Sequence, residues 1–163
     1  MPEFSLKISS PEEMALLAAA MEKALPGNSV VTLRGELGSG KTVFARGFAR
    51  ACGVTEPVTS PTFTVLQEYR LPSGGTLYHF DLYRIGGPDA ALAFGVDEYL
   101  NAPCRAVLIE WPGAVAGMLP PGAASVSFEH IDENSRKVTV AAAAGELDAI
   151  KETLAGSAVP VCS

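Results

Sequence analysis

The chain has 163 residues, of which 48% are hydrophobic and 18% charged, a length and composition that suit one domain with a real core and exclude the disordered and fibrous classes. Its formal net charge of -6 opposes autonomous nucleic-acid binding, which needs clustered Lys and Arg to displace counterions from a polyanion. No apolar stretch approaches the roughly 20 residues of a membrane span, and Met1-Pro2-Glu3-Phe4 lacks the basic-then-apolar pattern of a signal peptide, so a cytoplasmic protein without a membrane partner is expected.

In chain order, Phe4 to Ile8 alternates apolar and polar residues and is predicted to be a strand. Ser9-Ser10-Pro11-Glu12-Glu13 then opens a helix, with Ser10 as N-cap and Pro11 in the first turn. Met14, Leu17, Ala18, Met21 and Leu25 recur at helical spacing until Pro26-Gly27 stops the run. The apolar strand Val30-Val31-Thr32-Leu33 leads into Gly35-Glu36-Leu37-Gly38-Ser39-Gly40-Lys41-Thr42, and a helix follows from Lys41 to about Cys52, closed by Gly53. Thr62 to Tyr69 and Thr76 to Asp81 flank Leu71-Pro72-Ser73-Gly74-Gly75, which reads as a hairpin. Pro88 to Leu100 is a short Ala-rich helical stretch interrupted by Gly95. Arg105 to Glu110 is predicted to be a buried central strand ending on a carboxylate. Val126–Ile131 and Lys137–Ala141 form a second antiparallel pair across Asp132-Glu133-Asn134-Ser135. A final helix from about Glu146 to Leu154 precedes a small-residue tail over about 156–163 of a single domain, 1–163. The three cysteines, Cys52, Cys104 and Cys162, are odd in number and widely spaced, which fits two packed thiols and one in the tail rather than disulfides or a zinc site.

Gly35 to Thr42 spells G-x-x-x-x-G-K-T between a strand and a helix, the setting a phosphate-binding P-loop requires. In such a loop Gly35, Gly38 and Gly40 let the backbone turn so that N–H groups converge on phosphates, with Ser39 and Val43 in the same cradle and the helix N-terminus adding its positive end. Lys41 would reach the β- and γ-phosphates, and Thr42 would offer its hydroxyl to Mg2+. Without an Asn-Lys-x-Asp sequence to read guanine, ATP is the expected nucleotide. Alternating helices and strands around this loop predict an α/β, three-layer P-loop NTPase-like fold: a mixed central sheet, helices on both faces, and β-hairpin additions. Ligands of such sheets sit outside the carboxyl ends of the parallel strands, where both Asp81 and Glu110 fall.

Phosphoryl transfer asks a protein for charge placement and a positioned nucleophile. Glu110, closing an apolar strand, is placed to hold Mg2+ directly or through water. Asp81 fits metal-bound water, an attacking water, or an ion pair with Arg84. Thr62, in Ser60-Pro61-Thr62-Phe63, reads by itself as a turn residue; its hydroxyl could otherwise contact the γ-phosphate or metal, in a segment resembling a nucleotide-dependent switch. Trp111 packs near the site or in the core. His79 is read as a strand residue, because a P-loop enzyme does not require it. Arg136 is a surface charge or a nucleotide contact.

Taken in order, the P-loop, Ser60-Pro61-Thr62-Phe63, Glu68-Tyr69, His79-Phe80-Asp81-Leu82-Tyr83-Arg84, Gly95 with Asp97-Glu98-Tyr99, and Ile109-Glu110-Trp111-Pro112 closely resemble the bacterial TsaE family over roughly residues 5–140. The resemblance implies a small Mg-dependent ATPase, slow alone, needed to make threonylcarbamoyladenosine beside the tRNA anticodon. It implies TsaB–TsaD as the protein partner that performs the transfer and holds the tRNA, which this chain then meets only indirectly. It also carries over Lys41 for phosphate, Thr42 and Glu110 for magnesium, Asp81 for nucleotide or water, Thr62 for the switch, and Ser10 and Arg136 as adenine-side contacts. The competing reading is a small-molecule P-loop kinase; Gly86 to Pro103 contains no Arg or Lys of the kind a kinase lid carries, which favours the ATPase.

Overall fold

A strand that is apolar on both of its faces must be covered on both, and Ala106–Glu110 is such a strand up to its terminal carboxylate, buried throughout. The computed structural model describes residues 1–157, 159 and 161–162. In chain order its elements are β1 (Glu3–Ile8), α1 (Pro11–Ala24), β2 (Ser29–Arg34), α2 (Lys41–Ala51), β3 (Leu66–Arg70) and β4 (Thr76–Asp81). Then come α3 (Pro88–Phe94), α4 (Val96–Asn101), β5 (Ala106–Glu110), a 3-10 helix (Pro112–Met118), β6 (Ala124–His130), β7 (Arg136–Ala141), α5 (Ala144–Ala155) and β8 (Val161–Cys162).

All the strands join one sheet in the order β3-β4-β5-β2-β6-β7-β1-β8. The centre, β4, β5, β2 and β6, is parallel. The flanks are antiparallel: β3 on one side, and β7, β1 and β8 on the other. Side-chain alternation along each strand then sorts the core into two layers. Leu77, Ala106 and Leu108 pack with Leu17, Met21, Phe44, Phe48 and Ile150 from α1, α2 and α5. Phe80, Val107 and Ile109 pack on the opposite face with Ala91 of α3, Val96 of α4 and Val115 of the 3-10 helix. The mixed sheet with helices on both faces and hairpin additions is therefore the fold the sequence predicts.

Local chemistry sets the elements that frame the site. The Ser10 hydroxyl accepts from the Glu13 N–H at 3.1 Å and the Glu13 carboxylate accepts from the Ser9 N–H at 2.6 Å, a reciprocal cap at the start of α1. At its other end the Arg105 guanidinium donates to the carbonyls of Glu22, Leu25 and Pro26, placing a cation where the helix exposes its negative pole.

The sheet departs from the sequence reading in three places. The strand expected from Thr62 begins only at Leu66, because Thr62–Thr64 turn and Val65 adopts a left-handed conformation, φ 69°. Pro112–Met118 is a 3-10 helix that the sequence reading leaves unassigned. Within the stretch read as a tail, Val161–Cys162 pairs with β1, while residues 158, 160 and 163 lie outside the described residues. Cys52 and Cys104 are half-buried free thiols, and the side chain of the third cysteine is outside the description. Among the described residues no helix is long and apolar enough to cross a membrane.

Candidate functional site

Parallel register decides which side chains meet at the carboxyl edge of the sheet. Asp81 lies opposite Glu110, and Glu110 lies opposite Leu33 of β2, so two acidic residues stand beside the loop that starts at Gly35. Gly40 caps α2 in a left-handed conformation at φ 114°, and among the described residues no side chain caps that helix, so its first-turn N–H groups remain available at the positive end of the dipole. A Cβ on Gly35 would lie 2.5 Å from Ser39 Oγ and 2.9 Å from the Phe128 carbonyl oxygen, so the loop closes only over a glycine there.

Lys41 is 5% exposed. Its ammonium donates to the carbonyls of Gly35 at 2.5 Å and Glu36 at 2.8 Å, and lies 4.3 Å from the centroid of the Trp111 ring. Burial pushes its pKa down, while the nearby charges of Glu110 and Asp81 pull it back up. It makes no salt bridge among the described residues. A buried cation held only by carbonyls and a ring face is a strong attractor for an anion.

Asp81 organises the segment before β3. Its Oδ2 accepts from the Thr62 hydroxyl at 3.1 Å and the Ser60 hydroxyl at 3.3 Å, and its Oδ1 accepts from the Tyr83 N–H at 3.0 Å. Ser60 and Thr62 are themselves 2.8 Å apart. Val65 completes the turn: its N–H donates to the Pro61 carbonyl at 2.7 Å, and its carbonyl accepts from the Asp81 N–H at 2.9 Å. A β-branched residue at positive φ is costly and is found where surrounding bonds over-determine it. Arg84, the ion-pair partner considered for Asp81, instead lies over the exposed Phe63 ring at 4.7 Å.

Glu110 is 3% exposed and its Oε2 lies 2.6 Å from Nε2 of His79, itself 1% exposed. Trp111 follows at φ 56°, and its ring contacts both the Lys41 ammonium and the Tyr83 ring.

Two adjoining clefts result. One, about 240 Å³, is lined by residues 37–43 together with Ser60, Thr62, Asp81, Glu110, Trp111 and Arg136. The other, about 260 Å³, is lined by Ser10, Met14, Glu133 and Asn134 among others, and shares Gly40, Val43 and Arg136 with the first. Antiparallel pairing of β7 with both β1 and β6 brings these distant segments together, since Arg136 lies opposite both Ile8 and His130. The Arg136 guanidinium donates to the Asp132 and Ser135 carbonyls at 3.0 Å and to the Gly38 carbonyl at 3.3 Å, tying the turn to the loop.

Every candidate site residue except Gly35 lines one of these clefts, and Gly35 stands at the start of the loop against Ser39 and Phe128. A phosphate chain fits the first cleft, where, among the described residues, the buried Ser39 Oγ has no hydrogen-bond partner and a Cβ on Gly38 would meet nothing within 4 Å. Mg2+ fits the donor chemistry of Thr42, Glu110 and Asp81, hard oxygens too few for an all-protein cage, as suits an ion that keeps waters and phosphate ligands. Among the described residues no group of three or more His, Cys, Asp or Glu is arranged to hold a metal alone. The sequence reading misses His79 as a partner of Glu110 and misses Glu133 and Asn134 as cleft residues. A signal existed only for His79, which shares a strand face with Asp81 two positions on.

A family model described as "Threonylcarbamoyl adenosine biosynthesis protein TsaE" matches residues 8–138. A protein from Rickettsia felis named tRNA threonylcarbamoyladenosine biosynthesis protein TsaE is 38% identical over 136 residues, covering 83% of this chain and 78% of the relative. A relative of the same name from Bacillus subtilis is 36% identical over 160 residues, covering 94% and 95% of the two chains. Among solved structures, the crystal structure of YdiB from Bacillus subtilis superposes with a TM-score of 0.73 at 29% identity, covering 95% of each chain.

Proposed function

From the premise that this chain belongs to the TsaE family, we propose that it binds and hydrolyses Mg-ATP as an accessory to threonylcarbamoyladenosine synthesis on tRNA. It acts on the TsaB–TsaD complex, regulating or resetting the transferase rather than performing the transfer. The observation that carries this reading is the buried Lys41 ammonium beside an uncapped helix N-terminus, with Asp81 and Glu110 opposite it at the ends of neighbouring parallel strands.

Lys41 and the loop N–H groups bind the phosphates and stabilise charge that develops during transfer. Glu110 and Thr42 would hold magnesium, which would supply positive charge to offset that of the phosphates. Asp81, fixed by Thr62, Ser60 and the Tyr83 N–H, orients water for attack on the γ-phosphate, giving ADP and inorganic phosphate. Ser10, Asn134 and Arg136 border the base end of the site. The acidic net charge of -6 supports indirect contact with tRNA through protein partners.

Phosphate release is measured with the purified chain, alone and with TsaB–TsaD, for the wild type and for Lys41→Ala. The wild type is expected to turn over ATP, faster with the partners, and Lys41→Ala to lose turnover. Depletion in cells is expected to lower threonylcarbamoyladenosine in tRNA. Equal turnover by Lys41→Ala would overturn the site assignment, and unchanged tRNA modification would overturn the biological role.

A further inference from the structure

We infer that His79 is a positioning residue that fixes the Glu110 carboxylate for its task at the metal-binding end of the cleft. The inference rests on the proposed Mg-ATPase reading and extends it to a residue that touches neither nucleotide nor metal. His79 sits on β4 two positions before Asp81, on the same strand face, and Leu108 of β5 is its register partner. Its ring therefore reaches along the sheet toward Glu110, two positions beyond Leu108, and meets it at 2.6 Å.

Both groups are almost wholly removed from water, at 1% and 3% exposure, so the bond is not exchanged for a solvent contact. The contact joins one ring nitrogen to one carboxyl oxygen, Nε2 to Oε2. Nδ1 has no hydrogen-bond partner among the described residues, so Glu110 is the ring's one polar contact there.

A glutamate has three rotatable bonds, and the carboxylate at a strand end is free to swing unless something holds it. His79 holds Oε2, and the planarity of the carboxylate then fixes where Oε1 lies. The pairing resembles in its physics the outer-shell partners that orient metal-bound side chains and tune their affinity. Loss of the imidazole leaves the nucleotide cradle of Gly38 to Val43 intact, so magnesium-independent binding should survive while the magnesium-dependent part is damaged. This split separates positioning from a general loss of structure.

The test is a double-mutant cycle with His79→Ala, His79→Gln, Glu110→Ala and the pair His79→Ala with Glu110→Ala. ADP affinity is titrated calorimetrically with and without Mg2+, half-activating Mg2+ is read from phosphate release, and thermal unfolding reports the fold. For His79→Ala we expect the half-activating Mg2+ concentration to rise by about tenfold or more, with ADP affinity in the absence of Mg2+ close to wild type. His79→Gln, whose amide can donate to the same oxygen, should recover most of the loss. In the Glu110→Ala background, removing His79 should change Mg2+ dependence no further, because its effect passes through that carboxylate.

Additive losses in the cycle, or equal losses with and without Mg2+ in both His79 variants, would overturn the inference in favour of a structural role. Wild-type magnesium response in His79→Ala would overturn it as well. Failure of the wild type itself to bind or turn over Mg-ATP would instead overturn the functional reading and this inference with it. The wild-type arm therefore separates the two failures.

Discussion

At the scale of single residues, the site depends on positions where one atom more or one charge less changes the outcome. Gly35 is the sharpest case on steric grounds, since a methyl group there would meet Ser39 Oγ at 2.5 Å and the Phe128 carbonyl oxygen at 2.9 Å. Ser39 Oγ can rotate away, but the β6 backbone cannot. Gly35→Ala is expected to cost about 1–3 kcal/mol of stability and to weaken nucleotide binding by shifting the loop, both readable from denaturant unfolding and ADP titration. Unchanged values in both would mean that the loop relaxes freely. Cys52 gives an independent check on burial at the opposite end of the P-loop helix. Burial, with a smaller push from Glu22 and against the pull of Arg105, raises its pKa from 9.0 to about 11. At a pH below both values the folded protein then carries about a hundredfold less Cys52 thiolate than the unfolded chain. Site-resolved alkylation at pH 8 should be correspondingly slow in native protein and fast in denaturant; equal rates would contradict the packing around α2.

At the scale of elements, α1 links stability to ligand binding. Its first turn is fixed by the exchange between Ser10 and Glu13, and Ser10 also borders the cleft next to the P-loop. Ser10→Ala should cost about 1 kcal/mol of stability, whereas Ser10→Asp keeps a capping oxygen and should restore it while placing a negative charge at the nucleotide. The two substitutions separate cap from contact when unfolding midpoints are compared with ADP affinities. If Ser10→Asp neither restores stability nor alters binding, the cap and the cleft position both lose their assigned importance. The segment before β3 shows a similar coupling of local structure to the site. Thr62 and Ser60 bond to Asp81, and Val65 accepts a strained conformation to hold that turn. The β-type residues from Thr62 predict a strand there, but side-chain oxygens and a carboxylate compete with ladder pairing and the strand starts only at Leu66.

At the scale of the whole molecule, ligand binding should stabilise the native state by mass action. With Mg-ADP at about a hundred times its Kd, the gain is about 2.7 kcal/mol, which for a chain of this size raises the thermal midpoint by roughly 5–10 °C. Lys41→Ala should lose most of that shift without falling much in its own midpoint. An equal shift in the variant would place the nucleotide elsewhere. How much of this was readable in the sequence follows from the range of the interactions involved. The P-loop, the caps of α1, the apolar run of β5 and the two hairpins are local patterns, set by residues a few positions apart, and they sufficed for the fold class and for Lys41, Thr42, Asp81 and Glu110 as neighbours of one edge. The motifs in their chain order carried the family as well. What sequence could not supply were pairings between segments far apart along the chain: His79 on Glu110, Thr62 on Asp81, Trp111 over Lys41, and Arg136 reaching Gly38. Strand register fixes the first, the turn before β3 makes the second, and antiparallel pairing at β7 brings about the last; register is set by the joint burial of both sheet faces, a property of the folded molecule as a whole.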